Sequence, residues 1–385
     1  MVPRSETGVR WWLYAPPTPK LESLLADPER VLAGPGILAR ESAGRKRFFR
    51  VDGGGAEPAL YVKIFALRPG VGRMRYFLRP SKARRERATA ERLAKLGFEV
   101  AAPIAVGERR RLGVLERSYS VIREIEARDL VRLLGGDPQG GGALEGAERR
   151  ALLERFGAFA RRLHDAGVDQ DDFAPNNFLA RPEGSFVLID FERCRVRRGP
   201  LGDSRYTQLA KLHRRDLGVS RSDRLRFLRA YLGADAGRAE RRAAWRRIWP
   251  EFRRVRGHDA RHAEVAAFRE GRNLAREGDA WVMRARARSK TIALELGPEA
   301  ARLCWLRAHQ LERLGLPALR PVRLDGGRVE LLDPGASLPR APADQVIGRS
   351  LAALAPWGRF SAPPQWLFTS QGALLRNPQA FELEL

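Results

Sequence analysis

Three residues in one short stretch have the types and spacing of a phosphoryl-transfer centre. In QDDFAPNNFLARPEGSFVLIDFERC, residues 170–194, Asp172 precedes Asn177 by five positions and Asp190 closes an apolar run. Such transfer needs a carboxylate to orient and deprotonate the attacking hydroxyl, and hard oxygen donors to hold magnesium on the nucleotide phosphates. Magnesium takes one or two protein ligands and completes its shell with phosphate oxygens, so Asp172, Asn177 and Asp190 suffice. Asp171 and Asn176 keep the same spacing and leave the register open at this point. An Asp-x4-Asn pair alone is more often a turn and capping feature, so the elements around it must decide.

Those elements are legible. Residues 37–65 read as three short strands with period-2 runs, separated by SAGRK and DGGGAEP. SKARRERATAERLAKLGFEV then reads as a helix, with Ala88, Leu93 and Leu96 near helical spacing and Gly97 as its stop. Residues 101–125 return to strands. Lys63 thus sits one strand before a helix carrying Glu86, with Glu91 as the fallback if the apolar phase of the helix is misread. Lysine occurs at only seven positions in this arginine-rich chain, which makes one inside a strand notable, although an edge-strand lysine can also serve only to discourage aggregation. The glycine-dense run 133–148 separates this region from a helix whose stripe is Leu152, Leu153, Phe156, Phe159, Ala160 and Leu163. That helix leads into the Asp172 stretch, and helical patterns resume after Asp190. His164 at its end is expected to pack or cap, and the adjacent Trp11 and Trp12 to pack in the core rather than mark a membrane interface.

Composition bounds the class. A chain of 385 residues, 44% hydrophobic, can bury proper cores and hold two or three domains. Its two cysteines make no disulfide framework, no run approaches the roughly 20 apolar residues of a membrane span, and the start carries no signal-peptide stretch, so a cytoplasmic setting is expected. The formal charge of +25 asks for an anionic partner: nucleic acid, a lipid surface or a phosphorylated substrate. No zinc-finger spacing or RNA-binding aromatic motif supports nucleic acid, which rests on charge alone.

Strand lysine, helix glutamate, Asp-x4-Asn and then IDF, in that order, resemble the protein-kinase-like fold, and more closely the lipopolysaccharide core kinases that phosphorylate heptose or Kdo sugars. LHDAGVDQDDFAPNNFLA followed by VLIDFERCRV, and RRERATAERLAKLGFEVAAPIAVG before them, carry the resemblance over roughly residues 30–235. It implies an α+β bilobal fold: a sheet lobe over 1–127, a helical lobe with the catalytic loop over 128–255, and an extension over 256–385. It also implies that Lys63 meets the nucleotide phosphates and pairs with Glu86, that Asp172 is the base, and that Asn177 and Asp190 hold magnesium. Ser42 and Gly44 would lie in the turn over the phosphates, and backbone around Glu124 and Glu126 would meet adenine. Asn177 is preferred over Asn176 because it leads directly into FLA, as the family's asparagine leads into its strand. One departure stands out: Gln170 occupies a position where the family usually has histidine, and glutamine cannot titrate.

The expected function is therefore an ATP- and magnesium-dependent kinase acting on a sugar hydroxyl of the lipopolysaccharide inner core, peripheral at the inner face of the inner membrane. The alternatives are a kinase of another acceptor, protein or small molecule, and a pseudokinase scaffold. The last third reads as a worn copy of the first part: Leu93, Leu96, Gly97 and Pro103 recur as Leu311, Leu314, Gly315 and Pro321, each 218 residues on. NFLARPEGSFVLID likewise resembles QWLFTSQGALLRN, residues 365–377. Glu86 corresponds there to Cys304, and the Asp and Asn positions carry Pro, Gln and Asn, so this copy is expected to be catalytically silent.

Overall fold

A computed structural model describes residues 8–34, 38–42, 46–53, 57–67, 76–77, 79–135, 142–212, 217, 219–270, 274–287, 289–314, 316, 318–333, 347, 350–351, 354, 358–362, 364–369 and 372–383. The chain is mixed α+β and divides into two compact units. The first comprises Met1–Leu133, Glu145–Arg205 and Arg229–Gly233; the second comprises Leu134–Leu144, Tyr206–Leu228 and Ala234–Leu385.

The first unit opens with strand β1 (Val9–Leu13), followed by α1 (Pro19–Ala26) and α2 (Pro28–Leu32). Each helix starts at a proline behind a capping side chain: Thr18 accepts from the Leu21 N–H and Asp27 from the Arg30 N–H. Next come β2 (Leu38–Ser42), β3 (Lys46–Val51), β4 (Leu60–Ala66), α3 (Lys82–Lys95), β5 (Glu99–Val100), β6 (Ala105–Arg111) and β7 (Val114–Arg123). Six of these strands form one antiparallel sheet in the order β1-β6-β7-β4-β3-β2. Leu112 and Gly113 join β6 to β7 with φ of 49° and 79°, the handedness of a tight hairpin turn. Apolar side chains of the sheet, among them Val62, Ile64 and Val121, pack with Leu21, Leu24 and Leu25 of α1 in one core cluster. Trp11 belongs to that core, 5.5 Å from the Tyr119 ring, and lies so close over Gly107 that a Cβ there would come within 2.6 Å of it.

The helix after β4 corrects the expected stripe. Its buried positions are Ala83, Glu86, Ala90 and Leu93, whereas Ala88 and Leu96 are exposed. An apolar count misses this face because a carboxylate sits on it, and only a buried cation can make that tolerable.

Beyond β7 the chain forms β8 (Arg128–Asp129), α4 (Leu130–Gly135), α5 (Gly146–Asp165), β9 (Val168–Gln170), β10 (Phe178–Ala180), β11 (Phe186–Leu188) and β12 (Cys194–Val196). The stripe expected in α5 is the one buried, and it meets the β10–β11 hairpin through Phe156, 5.1 Å from Phe178 and 5.4 Å from Phe186. The hairpin pairs on one side with β8 and on the other, in parallel, with β5. β9 pairs with β12, Gln170 opposite Cys194. Helices α6 (Ser204–Lys211) and α7 (Arg221–Leu232) follow.

The second unit contains α8 (Arg238–Ala267), β13 (Leu274–Glu277), β14 (Ala280–Met283), β15 (Thr291–Glu295), α9 (Pro298–Leu314), β16 (Pro321–Asp325), β17 (Arg328–Leu332), β18 (Gly358–Phe360), β19 (Trp366–Thr369), β20 (Gly372–Leu375) and β21 (Phe381–Leu383). Residue 255, where the sequence reading divides helical lobe from extension, lies inside α8. A five-stranded sheet runs β13-β14-β16-β17-β15. Trp305 of α9 is fully buried and donates its indole N–H to the Ala267 carbonyl at 2.8 Å, tying α9 to the end of α8. No helix among the described residues is long and apolar enough to cross a membrane.

Candidate active site

Lys63 lies in β4, an interior strand of the first sheet, opposite Phe48 on one side and Ser120 on the other. Its side chain reaches Glu86 on α3, Nζ to Oε1 2.6 Å, with both residues buried. Ser81 caps α3, accepting from the Arg84 N–H at 3.2 Å, and so fixes the start of the helix that carries Glu86. Glu91 is exposed and pairs with Arg87 on the same helix, which places Glu86, not Glu91, at the lysine.

Asp190 follows β11 and completes a chain of charges. Its Oδ1 lies 3.4 Å from Lys63 Nζ and 3.0 Å from Lys46 Nζ, and Lys46 also meets Glu192 at 3.1 Å. Burial lowers the affinity of Lys63 for its proton, but the Glu86 and Asp190 carboxylates outweigh it and hold the ammonium above its usual range. For Asp190, burial pushes the carboxyl up, and the Lys63 and Lys46 ammonium groups together bring it below the usual carboxylate range. Asp190 also adopts a φ of 53°, a left-handed backbone that few non-glycine residues take and that strain concentrates at functional sites.

The loop between β9 and β10 is held from within. Asn177 is buried and donates from Nδ2 to the Asp172 carbonyl at 2.7 Å, while its Oδ1 accepts from Asn176 at 3.0 Å. Asn176 and Asp171 are exposed, whereas Asp172 is half-buried. Phe173 anchors the loop between Phe178, at 4.9 Å, and His164, at 5.0 Å. His164 is buried and hydrogen-bonds the Tyr231 hydroxyl at 2.8 Å, so it packs at the helix end and braces the loop. Gln170, at the position of the family's histidine, is buried in β9.

Residues 37–231, just over half of the chain, match the lipopolysaccharide kinase (Kdo/WaaP) family. The chain belongs to that family. Among solved structures it is similar to WaaP in complex with acyl carrier protein, at 24% identity and a TM-score of 0.45, covering 64% of this chain and 98% of that one. No curated protein matches the chain. Membership in the lipopolysaccharide kinase family places the protein among phosphotransferases, and the matched span takes in Lys46, Lys63, Glu86, Asp172, Asn177 and Asp190.

Other residues expected from the lipopolysaccharide kinase resemblance fall as follows. Ser42 ends β2 opposite Lys46, and Gly44 lies outside the described residues. Glu124 is held by Arg50, Nε to Oε1 3.1 Å, and by the Tyr61 hydroxyl at 3.1 Å; the guanidinium keeps its carboxyl below the usual range. The Glu124 N–H donates to the Ala59 carbonyl at 2.7 Å, and Glu126 is exposed. Lys46 and Glu192 are the residues that sequence reasoning missed. Lys46 was legible only as the end of a turn, yet its rarity in this chain and its place in β3, the strand paired with that of Lys63, were the signals.

Whether magnesium suits these residues is a question of donor chemistry. Asn177 offers the second lone pair of a side-chain oxygen that also accepts from the exposed Asn176, its amide nitrogen being occupied by the Asp172 carbonyl, and Asp190 offers a carboxylate whose negative charge is retained by two ammonium groups. Both are hard oxygen donors of the kind magnesium uses alongside phosphate. The residues fit the ion.

Proposed function

We propose that the protein transfers the terminal phosphoryl group of ATP to a sugar hydroxyl, heptose or Kdo, of the lipopolysaccharide inner core. The observation that carries this reading is the chain of charges Glu86–Lys63–Asp190, a buried pair reaching a half-buried carboxylate, with contacts of 2.6 and 3.4 Å, assembled from three separate elements. Glu86 holds the Lys63 ammonium pointed at the space beside Asp190, where it would meet nucleotide phosphates. Lys46 adds a second cation there. Asn177 and Asp190 would hold magnesium, which supplies charge neutralisation of the phosphates when bound. The turn between β2 and β3, including Ser42 and Gly44, would lie over the phosphates. The Glu124 N–H is occupied by Ala59, so the Glu124 carbonyl and the backbone on to Glu126 would meet adenine.

The chemistry balances with these groups alone. The acceptor hydroxyl oxygen attacks the terminal phosphorus, its proton passes to the Asp172 carboxylate, and the bond to the bridging oxygen breaks to release ADP. Asn177 positions Asp172 through the backbone, so the loop need not reorganise during the step.

The acceptor is an anionic glycolipid in a membrane, which suits a chain of charge +25 acting at an anionic surface, here the inner face of the inner membrane. One face of α8 supports that contact: Arg242, Trp245, Arg246 and Trp249 are exposed at helical spacing, and the two indole rings lie 5.8 Å apart.

The test is magnesium-dependent transfer of label from ATP to purified, dephosphorylated lipopolysaccharide core. Label is expected in the sugar with the wild type and to disappear in Asp172→Ala and Asp190→Ala. Absence of transfer to core while ATP still binds would redirect the reading to another acceptor, or to a scaffold.

A further inference from the structure

The family match ends at residue 231, so it says nothing of β13–β21. Yet the second unit repeats a large part of the first unit's framework, strand pairing by strand pairing. In the first unit, neighbouring strands run β1-β6-β7-β4; in the second they run β14-β16-β17-β15, again all antiparallel. The helix falls at the same place in the chain: α3 lies between β4 and β6, and α9 between β15 and β16. After α3, Val100 pairs in parallel with Leu188 and the Ala101 N–H donates to the Leu188 carbonyl at 2.9 Å. After α9, Ala318 pairs in parallel with Leu375 and the Leu319 N–H donates to the Leu375 carbonyl at 3.0 Å.

The segment that carries Asp190 is repeated too. Hairpin β10–β11 sets Phe178 opposite Leu188, and β19–β20 sets Trp366 opposite Leu375. The Ile189 N–H donates to the Asn177 carbonyl, and the Arg376 N–H to the Gln365 carbonyl. β9 pairs with β12 as β18 pairs with β21, and the bond from Cys194 N–H to the Phe191 carbonyl returns as Phe381 N–H to Pro378.

These registers say which residues stand where the catalytic ones do. Across the first sheet, one row reads Trp12, Val106, Ser120, Lys63; across the second, the same row reads Trp281, Leu324, Val329, Leu294. Val106 and Leu324 are 218 residues apart, the spacing that also takes Glu86 to Cys304. Lys63 is therefore replaced by Leu294, Glu86 by Cys304, Asn177 by Gln365 and Asp190 by Asn377. Leu294 packs on the apolar cluster that contains Cys304 and Trp305, and Asn377 spends its side-chain oxygen on the Gln365 N–H at 2.6 Å. Among the described residues β15 is the edge of its sheet, whereas β4 is followed by β3 and β2, whose turn would cover the phosphates.

We infer that residues 274–383 are a second kinase-like module in which the lysine–glutamate pair of the nucleotide site is replaced by the apolar packing of Leu294 and Cys304, so that the chain carries a single phosphoryl-transfer site. This rests on the fold and stands independently of the acceptor assigned above.

Its test is restoration of the lost ion pair. Cys304→Glu places an uncompensated charge in the core and Leu294→Lys one at its edge, and each is expected to lower the thermal midpoint, the former more. The double variant L294K/C304E is expected to be more stable than either single one, because the two charges then meet as Lys63 and Glu86 do. A double variant no more stable than the worse single one would overturn the equivalence. Calorimetric titration with ATP gives an independent arm: at most one nucleotide per chain is expected. Two nucleotides per chain would show that the second module is not silent, whereas no binding by the wild type would count against the kinase reading only.

Discussion

At the scale of single residues, the cluster around Asp190 separates charge from shape. Asn tolerates the left-handed backbone that Asp190 adopts, so Asp190→Asn is expected to keep the fold, as circular dichroism would show, while phosphoryl transfer falls by about a hundredfold or more. Lys63→Ala is different, because it leaves the buried Glu86 carboxylate without its cation. Urea unfolding is expected to show a loss of about 3–5 kcal/mol, the usual consequence of breaking a buried pair from one side. Replacing both partners by the residues of the second module, Lys63→Leu with Glu86→Cys, should recover much of that stability with transfer still absent.

The elements that carry these residues differ in how they respond to acid. In α9, burial holds His309 down to about 4, beside the Trp305 ring at 4.6 Å, against about 6.5 in an unfolded chain. Between those values the unfolded chain binds the extra proton and the folded one does not, so stability rises with pH across this window and is lost as pH falls through it. The urea midpoint of the wild type is expected to drop more steeply from pH 6.5 to 4 than that of His309→Gln. Equal slopes would mean that another group sets the acid limit. In the first unit the corresponding helix is instead held by the Lys63–Glu86 pair, whose lysine proton is retained well above this range.

For the whole molecule, the distribution of charge matters more than its sum. The α8 face combines arginines with two exposed indoles, and each basic residue near an anionic surface contributes about 1 kcal/mol. Arg242→Glu with Arg246→Glu is expected to weaken binding to phosphatidylglycerol vesicles by at least about tenfold, and Trp245→Ala with Trp249→Ala to weaken it further. Co-sedimentation at two salt concentrations reads both effects, since only the arginine component is screened by salt. Vesicle binding unchanged in both pairs would remove α8 as the contact.

Much of this was legible before folding. The order of strand lysine, helix glutamate, Asp-x4-Asn and Asp-Phe carries the family, because phosphoryl transfer restricts the residue types and a shared fold fixes the order in which the chain supplies them. The α5 stripe was equally plain, since its face is purely apolar. Tertiary structure alone decided the rest. It put Glu86 rather than Glu91 at the lysine, because a carboxylate on a buried face is invisible to an apolar periodicity until its cation is located. It brought Lys46 to Asp190 across 144 positions of chain, a contact that no local spacing encodes. It also set Leu294 in the place of Lys63, since equivalence across a sheet is a matter of hydrogen-bond register, and register is fixed only when the strands have paired.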